Sequence, residues 1–130
     1  FIAGLSMGGF AALRLAGQYP ERYLAASGHS SVTEVSQLDQ LMEETRAHWS
    51  TAATSVSILE ALKSAQGKLP AFRFDCGLSD IFLQPNRQLH QSLLALGIAH
   101  VYEEFEGGHE WPYWQTHLAD SLRFFSRTLK

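Results

Sequence analysis

Residues 1–18 read FIAGLSMGGFAALRLAGQ, and within them Gly4-Leu5-Ser6-Met7-Gly8 fits the pattern G-x-S-x-G. Phe1 to Ala3 is short and apolar, the end of a strand. Gly8 to Gln18 places Ala11, Ala12, Leu15 and Ala16 on a wide apolar face, the spacing of a helix. Small residues on most sides predict that this helix is nearly buried. A serine on the tight turn between such a strand and helix sits in strained backbone with its hydroxyl exposed, and side chains two positions to either side would crowd it. Glycine at 4 and at 8 is expected to relieve both clashes. The helix behind Ser6 turns its free N–H groups and positive dipole end toward charge developing on a substrate oxygen. The N–H of Met7, one residue past the serine, is the expected donor. The bland alternative is a glycine-rich helix entry or phosphate-binding turn without a nucleophile.

Outward from this turn the pattern alternates. Pro20 stops the first helix, and Tyr23 to Ser27 reads as a second strand. From His29 to Lys68 the chain is more polar. Val35, Leu38, Leu41 and Met42 fall at helical spacing in VSQLDQLMEETRAHW, as do Val56, Leu59 and Leu62 in TSVSILEALKSAQG, with Gly67 as the expected C-cap. Ala71 to Asp75 is a third strand. Leu89 to Leu96 belongs to a helix closed by Gly97, and AHVYEEF (99–105) is a fourth strand. Pro112 suits the first turn of a last helix, whose predicted inward stripe is Trp114, Leu118, Leu122 and Phe125. Strands alternating with helices predict an α/β fold, a parallel sheet flanked by helices.

Composition bounds the function. The 130 residues are one domain's worth of chain, with 45% hydrophobic and 18% charged residues, the balance of a globular protein. A net charge of −3 offers no basic stripe and argues against nucleic acid. No apolar run has the length to span a membrane, and the apolar start lacks the basic leader and cleavage site of a signal peptide. A single cysteine, Cys76, rules out an internal disulfide and a Cys-rich zinc module. It is compatible with a reducing cytosol, which favours a cytoplasmic location without fixing it. Beside a strand end, Cys76 reads as a small buried residue.

A serine hydroxyl needs a base to take its proton, and the base needs an acid to hold its tautomer. In a parallel sheet such groups gather at the carboxyl ends of the strands. After the third strand, DCGLSD offers Asp75 and Asp80. Asp75 lies on or at the edge of the strand and reads as structural, whereas Asp80 follows the Gly77 turn and is chosen as the acid. After the fourth strand, FEGGHEW offers His109, whose preceding Gly107 and Gly108 allow the loop to bend back toward Ser6. His29, His48, His90, His100 and His117 lack that loop context. Glu103, Glu104 and Glu106 read as a solvated edge and loop. His109, Glu110 and His117 lack the H-E-x-x-H spacing of a metal site, and the reading calls for no metal or cofactor. Trp111, Tyr113 and Trp114 read as core packing, although Trp111, beside the base, could line a substrate cleft.

Three separated stretches, GLSMGGFAAL, FDCGLSD and YEEFEGGHEWPYW, together resemble the carboxyl-terminal half of the esterase D-like branch of the α/β-hydrolase fold. That branch includes S-formylglutathione hydrolases, tributyrin-type esterases, feruloyl and acetylxylan esterases and mycolyltransferases. The resemblance covers essentially all 130 residues. It implies Ser6 as nucleophile, Asp80 as acid, His109 as base and Met7 as one oxyanion N–H, the same residues that the pattern alone selects. The family nucleophile follows a fifth strand, so the chain is expected to be one partial domain, residues 1–130, with about four strands. The loop that donates the family's second oxyanion N–H would then be missing, and turnover by these residues alone is expected to be weak. The first strand would present an unpaired edge, a route to homo-oligomers. The expected activity is hydrolysis of a small ester or thioester. The alternatives are acyl transfer to another acceptor and a non-catalytic interaction module.

Overall fold

A computed structural model describes residues 1–40 and 56–129. Four strands, β1 (Ile2–Leu5), β2 (Ala25–His29), β3 (Ala71–Gly77) and β4 (Val101–Phe105), form one parallel sheet in the order β1-β2-β3-β4. Among the described residues β1 is therefore an edge. The helices are α1 (Met7–Gln18), α2 (Ile58–Ser64), α3 (Leu83–Ala95) and α4 (Trp111–Thr128). The alternation predicted from the sequence is the fold observed.

Period-two alternation gives the sheet two unlike faces. Ala26, Phe72 and Phe74 point to one side and pack with Phe10 and Leu13 of α1, Leu62 of α2 and Leu93 of α3 in a single apolar core. Ser27, His29, Arg73 and Asp75 point to the other, beneath α4, and all four are buried. Charge in such a place must be paired. Arg73 Nη2 lies 2.7 Å and His29 Nδ1 2.7 Å from Asp75 Oδ2, although neither is aligned as a straight hydrogen bond. Tyr113 donates its hydroxyl to Asp75 Oδ1 at 2.7 Å. Arg73 Nη1 donates to Ser27 Oγ at 3.0 Å, Ser27 Oγ lies 2.6 Å from Ser121 Oγ, and Ser121 Oγ lies 2.6 Å from His29 Nε2. Arginine can only donate and a carboxylate can only accept. A single direction of donation, Arg73 to Ser27 to Ser121 to His29 Nε2, thus satisfies every hydroxyl and leaves the imidazole proton on Nδ1, beside the Asp75 carboxylate.

This polar face corrects two readings. Strand β2 runs to His29 instead of ending at Ser27, and β3 runs to Gly77 instead of Asp75, because polar side chains that find partners under α4 can stay in buried strands. Helix α4 is turned from the predicted stripe. Tyr113, Ser121 and Phe125 are its buried residues, while Leu118 and Leu122 are 51% and 60% exposed. The hydrogen bonds of Tyr113 and Ser121 set that rotation.

Other boundaries have local causes. Ser57 caps α2 by accepting the Glu60 N–H at 3.1 Å, so this helix starts later than Val56. It ends at Ser64 with Ala65 as its cap, ahead of Gly67, which nonetheless holds φ 92. Helix α3 holds the expected stretch from Leu89 and begins at Leu83. Pro85 falls in its first turn, where the missing N–H costs nothing. The helix predicted from Val35 onward is a 3-10 helix over Val35–Gln40, and Leu41 and Met42 of the prediction lie outside the described residues.

Asp75 carries a pH consequence. Burial alone would raise its carboxyl, but the contact and charge of His29, the charge of Arg73 and the Tyr113 hydroxyl together hold it below its ordinary 3.8. A depressed carboxylate contributes stability that is present above its unfolded pKa and lost as pH falls through the folded value. Urea unfolding between about pH 5 and 2 should therefore show stability falling from about pH 4 downward. Asp75→Asn, less stable at neutral pH, should lose less over that range. Equal slopes would contradict the assignment.

Candidate active site

Ser6 joins β1 to α1 with φ 55 and ψ −118, left-handed backbone that an L-residue rarely adopts. Such a conformation costs on the order of 1–3 kcal/mol and persists only when its surroundings impose it. Here they do: the Ser6 N–H donates to His29 O at 2.9 Å, while its C=O accepts from Phe10 at 3.1 Å and Val32 at 3.2 Å. The glycine expectation holds at one end only. A Cβ at Gly4 would strike the backbone of Gly8, whereas a Cβ at Gly8 would meet nothing within 4 Å. Gly4 makes the close approach, and Gly8 supplies the main chain it approaches.

The predicted acid and base loops are tied together. Ser79 donates its N–H to Gly107 O at 2.9 Å and Leu78 donates to Phe105 O at 2.9 Å, so the exits of β3 and β4 run side by side. Gly107 holds φ 127, the backbone freedom expected of it. The loops bring three side chains into line. Ser6 Oγ lies 2.8 Å from His109 Nε2, and His109 Nδ1 lies 2.9 Å from Asp80 Oδ2. The Asp80 side chain is fully buried, and its second oxygen accepts the Phe82 N–H at 2.8 Å. With Asp80 accepting from Nδ1–H, the Nε2 lone pair is left to face the serine proton, the arrangement that general-base chemistry needs. Met7 opens α1, where first-turn N–H groups have no acceptor inside the helix.

Asp75, the alternative acid, belongs to the buried cluster under α4. Cys76 is buried, and burial followed by the charges of Asp80 and Asp75 pushes its thiol well above the ordinary range. Glu104, read as solvated, is instead held by Arg87 through two hydrogen bonds of 2.8 and 2.9 Å and accepts the Tyr102 hydroxyl at 2.7 Å. Trp111 is 64% exposed and stands edge-on to Trp114, ring centroids 5.2 Å apart. With Ala3, Leu5, Trp114 and Leu118 it lines an apolar cavity of about 330 Å³. A larger, more polar concavity of about 620 Å³ is bordered by Gln37, Gln84 and Arg87, and Ser6, Asp80 and His109 line neither of the two.

The sequence did not reveal the aromatic walls of the imidazole. Phe82 and Trp114 meet His109 edge-on, at 5.2 and 5.0 Å between centroids. Only their closeness in sequence to Asp80 and His109 could have hinted at it.

With this geometry described, comparison with known proteins is informative. The family model described as "Putative esterase" matches residues 1–125. The chain belongs to this esterase family. An acetyl esterase of Caldicellulosiruptor saccharolyticus is 29% identical over 144 residues, covering 98% of this chain and 54% of that protein. In fold, the chain is similar to an S-formylglutathione hydrolase of Staphylococcus aureus, with a TM-score of 0.84, 23% identity, and 95% of this chain and 53% of that one covered. A ferulic acid esterase structure matches with a TM-score of 0.79 and 25% identity, covering 99% of this chain and 51% of that one. The chain thus spans about half the length of the relatives it matches. Its four strands and flanking helices have the α/β-hydrolase fold of these esterase structures. Among the described residues no helix is long and apolar enough to cross a membrane.

Proposed function

We propose that this esterase cleaves small carboxylic esters or thioesters through a covalent acyl-serine. The observation that carries the reading is the unbroken relay from Ser6 Oγ through His109 to Asp80, at 2.8 and 2.9 Å. Ser6 Oγ attacks the carbonyl carbon as His109 Nε2 takes its proton, and Asp80 steadies the imidazolium. The Met7 N–H donates to the oxyanion. Collapse expels the alcohol or thiol, which takes the proton from His109. Water, deprotonated by the same nitrogen, then releases the acid and restores Ser6. The name of the acetyl esterase relative supports a short acyl group, and the apolar cavity beside Trp111 suits an apolar substituent of the ester.

A fluorophosphonate probe tests the nucleophile directly. One equivalent is expected to attach to the purified chain at Ser6. Hydrolysis of p-nitrophenyl acetate by the same chain should be abolished by the probe in step with the labelling of Ser6. Absence of labelling would favour a non-catalytic module instead.

A further inference from the structure

Ser30 has no part in the chemistry above, yet its backbone is strained. It is fully buried, follows β2 directly and holds φ 51, the left-handed region that glycine would adopt without cost. Its N–H donates to Asp75 O at 2.8 Å, and its Oγ accepts the indole N–H of Trp114 at 3.0 Å. Trp114 is one of the two rings that hold the His109 imidazole between their edges; Phe82 is the other.

We propose that Ser30 is a positioning residue, whose hydroxyl fixes Trp114 and through it the plane of the His109 ring toward Ser6. The inference rests on the reading of Ser6 and His109 as nucleophile and base. Neighbours of Ser30 gauge the other parts of the site. His29 O and the Val32 N–H grip the main chain of Ser6 from both sides. Ser31 O accepts from Asn86 Nδ2 at 2.9 Å, and Asn86 sits in α3, the helix that follows Asp80. One four-residue exit from β2 thus touches the nucleophile turn, the wall of the base and the helix beside the acid. Glycine at 30 would satisfy the backbone, so a serine there is accounted for by its hydroxyl. An imidazole free to tilt loses alignment on two hydrogen bonds at once, and misplacement by about 1 Å can cost roughly a hundredfold in rate.

Ser30→Gly in the full chain is the decisive variant, because it removes the hydroxyl while accepting the φ. Two readouts apply. In proton NMR, the His109 Nδ1–H signal should exchange with water at least about tenfold faster than in the parent chain, and the thermal midpoint should not fall. In saturable fluorophosphonate labelling, the maximal rate should fall by about tenfold to a hundredfold while the half-saturating probe concentration stays within about twofold. Trp114→Phe should slow labelling similarly, and the double variant should be no slower than the worse single one, since both remove one hydrogen bond. Unchanged Nδ1–H exchange, or fully additive losses, would overturn the proposal. A parent chain that does not label at all counts against the esterase mechanism, and the exchange measurement then decides the role of Ser30 by itself.

Discussion

Ser6→Ala should end covalent capture of a fluorophosphonate and lower ester hydrolysis by on the order of 10⁴-fold to 10⁶-fold, the loss seen when a hydrolase gives up its nucleophile. The fold should survive. Alanine accepts φ 55 no better and no worse than serine, and the main-chain bonds of residue 6 to His29, Phe10 and Val32 do not involve the hydroxyl. Only the partly buried bond to His109 is lost, worth about 1 kcal/mol. Inactivity with an unfolding midpoint lowered by only a few degrees is therefore the expected signature, and it separates chemistry from misfolding. His109→Ala should be as damaging, and the double variant no worse than either single one, because the two groups act as a unit. Persistent labelling in Ser6→Ala would place the nucleophile elsewhere.

Ser6, Asp80 and His109 were legible in the sequence because each stands just past a strand, on a turn marked by glycine. Gly4 marks the first, Gly77 the second, and Gly107 with Gly108 the third. Parallel strands then do the rest, since their carboxyl ends must lie along one edge. What stayed hidden was non-local. His29 reads as the start of a polar segment and Asp75 as a strand edge until Arg73, Tyr113 and Ser121 are seen closing around them. For the same reason the rotation of α4 was misread. A hydrophobic stripe of Leu118 and Leu122 competes with the pairing needs of Tyr113 and Ser121, and apolar periodicity carries no information about where a hydroxyl finds its acceptor. Trp114 was read as part of that stripe, while its bond to Ser30 spans 84 positions.

Arg73→Met should be the most destabilising single change outside the core. The arginine is 1% exposed, with Nη2 2.7 Å from Asp75 and 3.3 Å from Glu103 and Nη1 on Ser27. Methionine fills a comparable volume, but it leaves a fully buried carboxylate without its permanent cation and the Ser27 hydroxyl without a donor. Removing one partner of a buried ion pair typically costs about 3–5 kcal/mol, against total stabilities of roughly 5–15 kcal/mol for a domain. The chain should thus approach its unfolding threshold at room temperature. Adding Asp75→Asn to Arg73→Met should recover part of the loss. Asparagine carries no charge to desolvate, and its side-chain oxygen can still accept from Tyr113 or His29. That partial rescue distinguishes a stranded charge from simple loss of packing, since a packing defect at 73 would be deepened by a second polar change beside it. Urea denaturation at pH 7 reads both variants. A loss under about 0.5 kcal/mol for Arg73→Met, the range of ordinary surface changes, would mean that His29 and Tyr113 alone suffice for Asp75 and that the guanidinium contributes little to the joint between sheet and α4.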